Sequence, residues 1–138
     1  MNPIVVDCSV TAAWCLEDET SPAAERVLER VIREGALVPA LWAFEMSNVL
    51  VVAERRGRIT AADAERAVEL LRRLPIVLDP PHAGTLARCR SVGREYGLTA
   101  YDAGYLDLAL RRGLELATFD GDLAAAARRA GVCLYSPL

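Results

Sequence analysis

The sequence predicts an α/β fold, a three-layer α/β/α domain on a parallel sheet. Three observations predict it. Apolar runs of strand length recur between helix-length segments of helical periodicity. Those runs lack polar alternation, as strands buried on both faces do. The breaks between segments are short and centred on single Gly or Pro residues (Gly35, Gly57, Pro75, Gly97, Gly113, Gly131). None could serve as an interdomain linker, so residues 1–138 are read as one domain with a single core.

The elements follow in order. Ile4–Val6 reads as the first strand and Ser9–Leu16 as a short helix. Ser21-Pro22 supplies an N-cap and an N1 proline for a helix over Pro22–Glu34, whose Ala24, Val27, Leu28 and Val31 share a face. Ala36–Val38 is the second strand, and a helix over Leu41–Arg56 follows. Thr60–Leu74 carries Ala64, Ala67, Val68, Leu71 and Leu74 on one side, a strong helical pattern. Ile76–Leu78 is the third strand. Helices are predicted over Ala83–Tyr96, Thr99–Arg112 and Gly121–Ala130, and the last two strand-like runs are Leu116–Thr118 and Val132–Tyr135.

Composition narrows the chemistry. Apolar residues make up 53% of the chain, yet no uninterrupted run reaches a membrane span. The most apolar region, Ala36 to Ala53, is broken by Pro39, Glu45 and Asn48. Met1-Asn2-Pro3 has no basic start, and Asp7 interrupts the first apolar run. A cytoplasmic protein is expected, with surplus apolar surface for a partner. All 16 basic residues are arginine. That excludes a Walker-type phosphate loop, a Schiff-base enzyme and a lysine-assisted phosphotransferase. A net charge of −3 argues against holding nucleic acid by bulk electrostatics. The cysteines (Cys8, Cys15, Cys89, Cys133) lack metal-ligand spacing and read as buried reduced thiols. His82, the only histidine, lies in the turn Pro80-Pro81-His82, a poor place for a hydrolase base.

Four acids stand out: Asp7, Glu45, Asp102 and Asp120, each within a mainly apolar stretch. Ligands of open α/β sheets sit beyond the carboxyl ends of the strands. Asp7 follows the first strand directly, and Asp120 follows the fourth after Thr118-Phe119. Position alone is no proof, because Asp79 also follows a strand. Glu45 projects from a largely apolar helical face, with Asn48 one turn on as an amide that could orient it. Thr99-Ala100-Tyr101-Asp102 has capping-box spacing, as does Thr60-Ala61-Ala62-Asp63. Asp102 differs because its helix is apolar nearly all round. Asp120 and Asp122 flank Gly121 at a helix start, where one would cap and Asp122 could assist. Gathered together, such carboxylates repel one another and lose hydration unless a hard cation joins them. That predicts a divalent-metal site and phosphodiester chemistry. The arginine pairs Arg55-Arg56, Arg72-Arg73, Arg111-Arg112 and Arg128-Arg129 all fall in last turns, where helix dipoles account for them.

These acids and their flanking words resemble the PIN-domain nucleases, in particular VapC-type toxins of toxin–antitoxin pairs. The matching segments are Ile4 through Val10, Pro39 through Glu45 and on to Leu50, Leu98 through Ala103, and Leu116 through Asp120. The resemblance implies a five-stranded parallel sheet and a Mg²⁺- or Mn²⁺-dependent endoribonuclease. Asp7 and Asp102 match the principal metal ligands. Glu45 and Asp120 match acids that hold the metal directly or through water and position the attacking water. Ser9 and Thr118 match polar positions beside them. It further implies an RNA substrate of the tRNA or rRNA kind, a homodimer, and a VapB-type antitoxin laying a helix and tail across an apolar groove. Two departures are Gly121, where relatives often carry a basic residue, and Asp107, an extra acid with no assigned role.

Other readings compete with this one. An aspartyl-phosphate phosphotransferase also opens on a strand-end aspartate, but Ser9 stands where its second acid belongs and there is no lysine. A binding module without activity has no need of the intact acid set. A non-toxin PIN nuclease in RNA maturation shares every motif, and an antitoxin reading frame upstream would separate the two.

Overall fold

A computed structural model describes residues 2–135. Strands β1 (Ile4–Val6), β2 (Ala36–Pro39), β3 (Ile76–Asp79) and β4 (Leu116–Ala117) form one parallel sheet in the order β3-β2-β1-β4. Among the described residues seven α-helices connect and flank them: α1 (Cys8–Cys15), α2 (Pro22–Glu34), α3 (Leu41–Arg55), α4 (Ala61–Arg73), α5 (Thr85–Tyr96), α6 (Ala100–Arg112) and α7 (Gly121–Ala130). β1 is central and fully buried, which its uninterrupted Ile-Val-Val requires.

The sequence caps the helices where expected. Ser21 Oγ accepts from Ala24 N at 3.1 Å behind Pro22, and Thr60 and Asp63 close a full capping box on α4. Asp7 caps the first helix, which therefore opens at Cys8, one residue before the expected start at Ser9. The helix expected from Ala83 begins at Thr85. His82 delays it, since its Nδ1 accepts from Gly84 N at 3.0 Å and its carbonyl from Thr85 N. A short 3₁₀ turn at Glu17–Glu19, which no periodicity announced, is held by Arg58 reaching Asp18 and Glu19.

The expected five-stranded sheet is corrected to four strands among the described residues. Of Val132–Tyr135, only Leu134 forms a bridge, parallel to Leu116, through Leu116 N to Cys133 O and Tyr135 N to Leu116 O. β4 stops at Ala117, whose carbonyl accepts from Asp7 N, and Thr118 then turns toward Asp7, so a further strand has one rung to pair with. Burial on both faces also fails for β3. Val77 and Leu78 point to opposite sides of this edge strand and both are exposed. Nor are the thiols all buried: all four cysteines are free, Cys133 is exposed and the other three are half-buried.

The strand order positions the site. From β1 the chain steps outward to β2 and β3, then returns past β1 to lay down β4 on its other side. Right-handed crossovers put the helices of the outward and return passes on opposite faces. The strand order thus reverses between β1 and β4, and a crevice opens beyond their carboxyl ends.

Candidate active site

Asp7 sits at that crevice. Its backbone (φ −92°, ψ 175°) leaves the strand and caps α1, and its side chain is only 4% exposed. Oδ1 accepts from Ser9 Oγ at 2.6 Å and from Val10 N at 3.3 Å, while Oδ2 accepts from Thr118 Oγ1 at 2.6 Å. The two hydroxyls pass the contact onward. Ser9 Oγ accepts from Phe119 N at 2.9 Å, and Thr118 Oγ1 accepts from Asp120 N at 2.9 Å. The loop from β4 to α7 is thereby stitched to the end of β1. Asp120 caps α7, with Oδ2 accepting from Leu123 N at 2.8 Å. Asp122 lies exposed in the first turn of that helix.

The other half of the site comes from α3 and α6. Tyr105, buried on α6, donates its hydroxyl to Glu45 Oε1 at 2.6 Å. Asp102 lies three residues before Tyr105, on the same side of the helix. Thr99 Oγ1 accepts from Asp102 N at 3.1 Å, but Asp102 returns no bond to the Thr99 backbone. In the box on α4, by contrast, Asp63 Oδ2 accepts from Thr60 N. Capping therefore leaves the Asp102 carboxylate unspent.

The orienting role expected of Asn48 is corrected. Asn48 is exposed and forms no bond to Glu45. Tyr105 holds that carboxylate instead. The signal was present in the sequence: a tyrosine inside an apolar helix needs a partner for its hydroxyl.

Electrostatics tie the acids together. Burial pushes the Asp7 carboxyl above its ordinary value; Ser9, Thr118 and Val10 oppose the rise and Asp120 adds to it. Glu45 is raised by burial, then by Asp102 and Asp7, against the Tyr105 hydrogen bond. Asp102 is raised by burial, then by Asp120, Asp7 and Asp122. Among the described residues no arginine is hydrogen-bonded to any of the three. The Tyr105 hydroxyl is likewise pushed up, by burial and by donating to Glu45, so it remains a donor.

Asp107 provides the contrast. It is as buried as Asp7, at 3% exposed. It is also fully paired: Oδ1 accepts from Arg88 Nε at 2.8 Å and Oδ2 from Arg111 Nε at 2.9 Å. Arg111 extends to Asp79 at 2.9 Å, which Arg112 also approaches. Buried charges are ordinarily paired in this way. Asp107 and Asp79 thus belong to a scaffold clamp joining β3, α5 and α6, which gives Asp107 its role. Asp7 has no such cation.

An all-carboxylate set, mutually repelling and held by hydroxyls without a guanidinium, suits a hard divalent ion with oxygen ligands. Asp7 Oδ2 retains a free lone pair beyond its bond to Thr118. Among the described residues no three His, Cys, Asp or Glu side chains stand close enough together to hold one ion. The acids lie within electrostatic reach of one another without forming a closed cage. A separate cleft of about 570 Å³, lined by Trp14, Asp18, Arg58, Arg66 and Leu70, contains none of them.

Comparison with known proteins adds to this geometry. The family described as "PIN domain" matches residues 4–129. Ribonuclease VapC3 of Pyrobaculum aerophilum is 33% identical over 122 residues, covering 88% of this chain and 92% of its own. Ribonuclease VapC3 of Mycobacterium tuberculosis is 32% identical over 123 residues, covering 89% and 86%. The crystal structure of M. tuberculosis VapC20, a sarcin–ricin loop cleaving toxin, superposes with a TM-score of 0.71 over 97% of this chain and 99% of its own. At 18% identity that last likeness speaks to fold alone.

Proposed function

The chain belongs to the PIN-domain family, and we propose that it is a divalent-metal-dependent endoribonuclease, the toxin of a VapBC-type pair. The observation that carries the reading is the contrast between two equally buried aspartates. Asp107 has two arginines, whereas Asp7 has two hydroxyls, the Val10 N–H and neighbouring acids.

Asp7 and Asp102 would hold the ion, Mg²⁺ or Mn²⁺, with Glu45 and Asp120 completing the set directly or through water. Once bound, such an ion offsets charge on a phosphodiester and acidifies water. The protein's own part is placement. Ser9 and Thr118 fix both oxygens of Asp7 on the rigid end of β1. Tyr105 occupies Glu45 Oε1 and leaves Oε2 to accept a proton from an attacking water. Burial raises the Glu45 pKa above the ordinary carboxylate value, the direction a general base needs.

The substrate class is RNA, with tRNA or rRNA as the candidates. The VapB-type antitoxin and a homodimer are supported by exposed apolar residues, among them Val51, Val68 and Leu70 on α3 and α4 and Val77 and Leu78 on β3. No helix among the described residues is long and apolar enough to cross a membrane, and a cytoplasmic location is part of the same reading. The test is sequencing of RNA ends after expression of the wild type beside Asp7→Asn. New ends confined to the wild type, and lost with excess EDTA, support it. Identical ends in both would defeat it.

A further inference from the structure

Both phenylalanines of this chain are exposed, although Phe ranks among the residues most often buried. Phe44 is 79% exposed and Phe119 47%, and Tyr101 is 66% exposed. Among the described residues these are the only exposed Phe, Tyr or Trp side chains. Trp42 and Tyr105 are buried, and Trp14, Tyr96 and Tyr135 are half-buried. Each exposed ring immediately precedes a site acid in the chain: Phe44 before Glu45, Tyr101 before Asp102, Phe119 before Asp120. Adjacent residues have Cα atoms about 3.8 Å apart. On a helix they are turned by about 100°, so Phe44 and Tyr101 lie beside their acids and not behind them. The backbone of Phe119 is pinned on both sides, its own N–H to Ser9 and that of Asp120 to Thr118, the two hydroxyls that hold Asp7.

We propose that Phe44, Tyr101 and Phe119 form a stacking platform for unpaired RNA bases flanking the phosphodiester at the acid cluster. The proposal rests on the nuclease reading and assigns these three rings their part in it. Three separated rings around one acidic site suit successive splayed bases better than a continuous apolar partner face. Affinity has few other local sources. The chain carries a net charge of −3, and among the described residues no arginine is paired with Asp7, Glu45 or Asp102. Aromatic faces stack on unpaired bases whatever their sequence, which supplies affinity without a cationic groove. A duplex, whose bases are already stacked, offers the rings nothing.

The test uses the full chain carrying Asp7→Asn and a labelled, unstructured 12-nucleotide RNA, with binding followed by anisotropy in Mg²⁺. Phe44→Ala, Tyr101→Ala and Phe119→Ala are each expected to weaken binding roughly tenfold. Phe→Leu should fail to restore it and Phe→Tyr should succeed. The same sequence in a 12-base-pair duplex should bind weakly and ignore all three changes. Because the rings are exposed, thermal melts should match the parent. In the otherwise wild-type enzyme the ring variants should raise KM and leave kcat within about twofold. Unchanged single-strand affinity in all three variants overturns the proposal and would hand the rings to a protein partner, as would full rescue by leucine. A wild type that cuts no RNA would defeat the nuclease reading instead, while the binding arm still judges the rings.

Discussion

Thr118 Oγ1 donates to Asp7 Oδ2 at 2.6 Å across 111 residues of sequence, joining the ends of two neighbouring strands, β4 and β1. The bond orients the carboxylate without neutralising it. Ser9 does the same for the other oxygen. A buried acid held in place yet left uncompensated costs stability, and that cost is the physical signature of the site.

The first prediction is a stability gain on loss of function. Burial raises the folded-state pKa of Asp7 above its unfolded value. Ionising it therefore opposes folding, negligibly in acid and increasingly as pH rises through the folded value. Asp7→Asn should raise Tm at pH 7 by roughly 2–5 °C and keep the cap on Val10. The gain should fade toward about pH 4, near the ordinary carboxylate value. Mg²⁺ should raise the Tm of the wild type and not of the variant. Melts across that pH range, with and without metal, read all three.

Tyr105→Phe removes the one hydrogen bond that Glu45 receives from a side chain. Cleavage should fall roughly tenfold, the scale seen when an orienting partner is lost. That bond also lowers the Glu45 pKa, so the acid limb of the pH–rate profile should move to higher pH in the variant. A slower enzyme with an unmoved profile would assign Tyr105 to packing alone.

Asp107→Asn should do the opposite of Asp7→Asn. It strips Arg88 and Arg111 of a shared buried partner. Both arginines can reach solvent, so the loss should be about 2 kcal/mol in chemical denaturation. Metal affinity should be unchanged. Asp79→Asn, on the outer end of the same clamp, should leave cleavage close to wild type.

Much of this was legible in the sequence because it is local. Ser21-Pro22 and Thr60-Ala61-Ala62-Asp63 mark helix starts through contacts within a turn. β1 announces its burial by having no polar residue. What escaped reading depends on distant partners. A strand at Val132–Tyr135 needs a neighbour long enough to pair with, and β4 is two residues long. Asn48 has the right spacing from Glu45 but is exposed and unbonded to it, whereas Tyr105 reaches Glu45 from 60 residues away. Asp102 and Asp107 look alike on one apolar helix. Only the arrival of Arg88 and Arg111 at one, and of other acids at the other, separates scaffold from site.

The most direct measurement is isothermal titration of Mn²⁺ and Mg²⁺ into the folded wild type, Asp7→Asn, Asp102→Asn and Asp107→Asn. Binding is expected for the wild type and Asp107→Asn, with a loss of at least tenfold in affinity for Asp7→Asn and Asp102→Asn. A folded wild type that takes up neither ion, or an Asp102→Asn variant that binds as well as its parent, would contradict the proposed metal site.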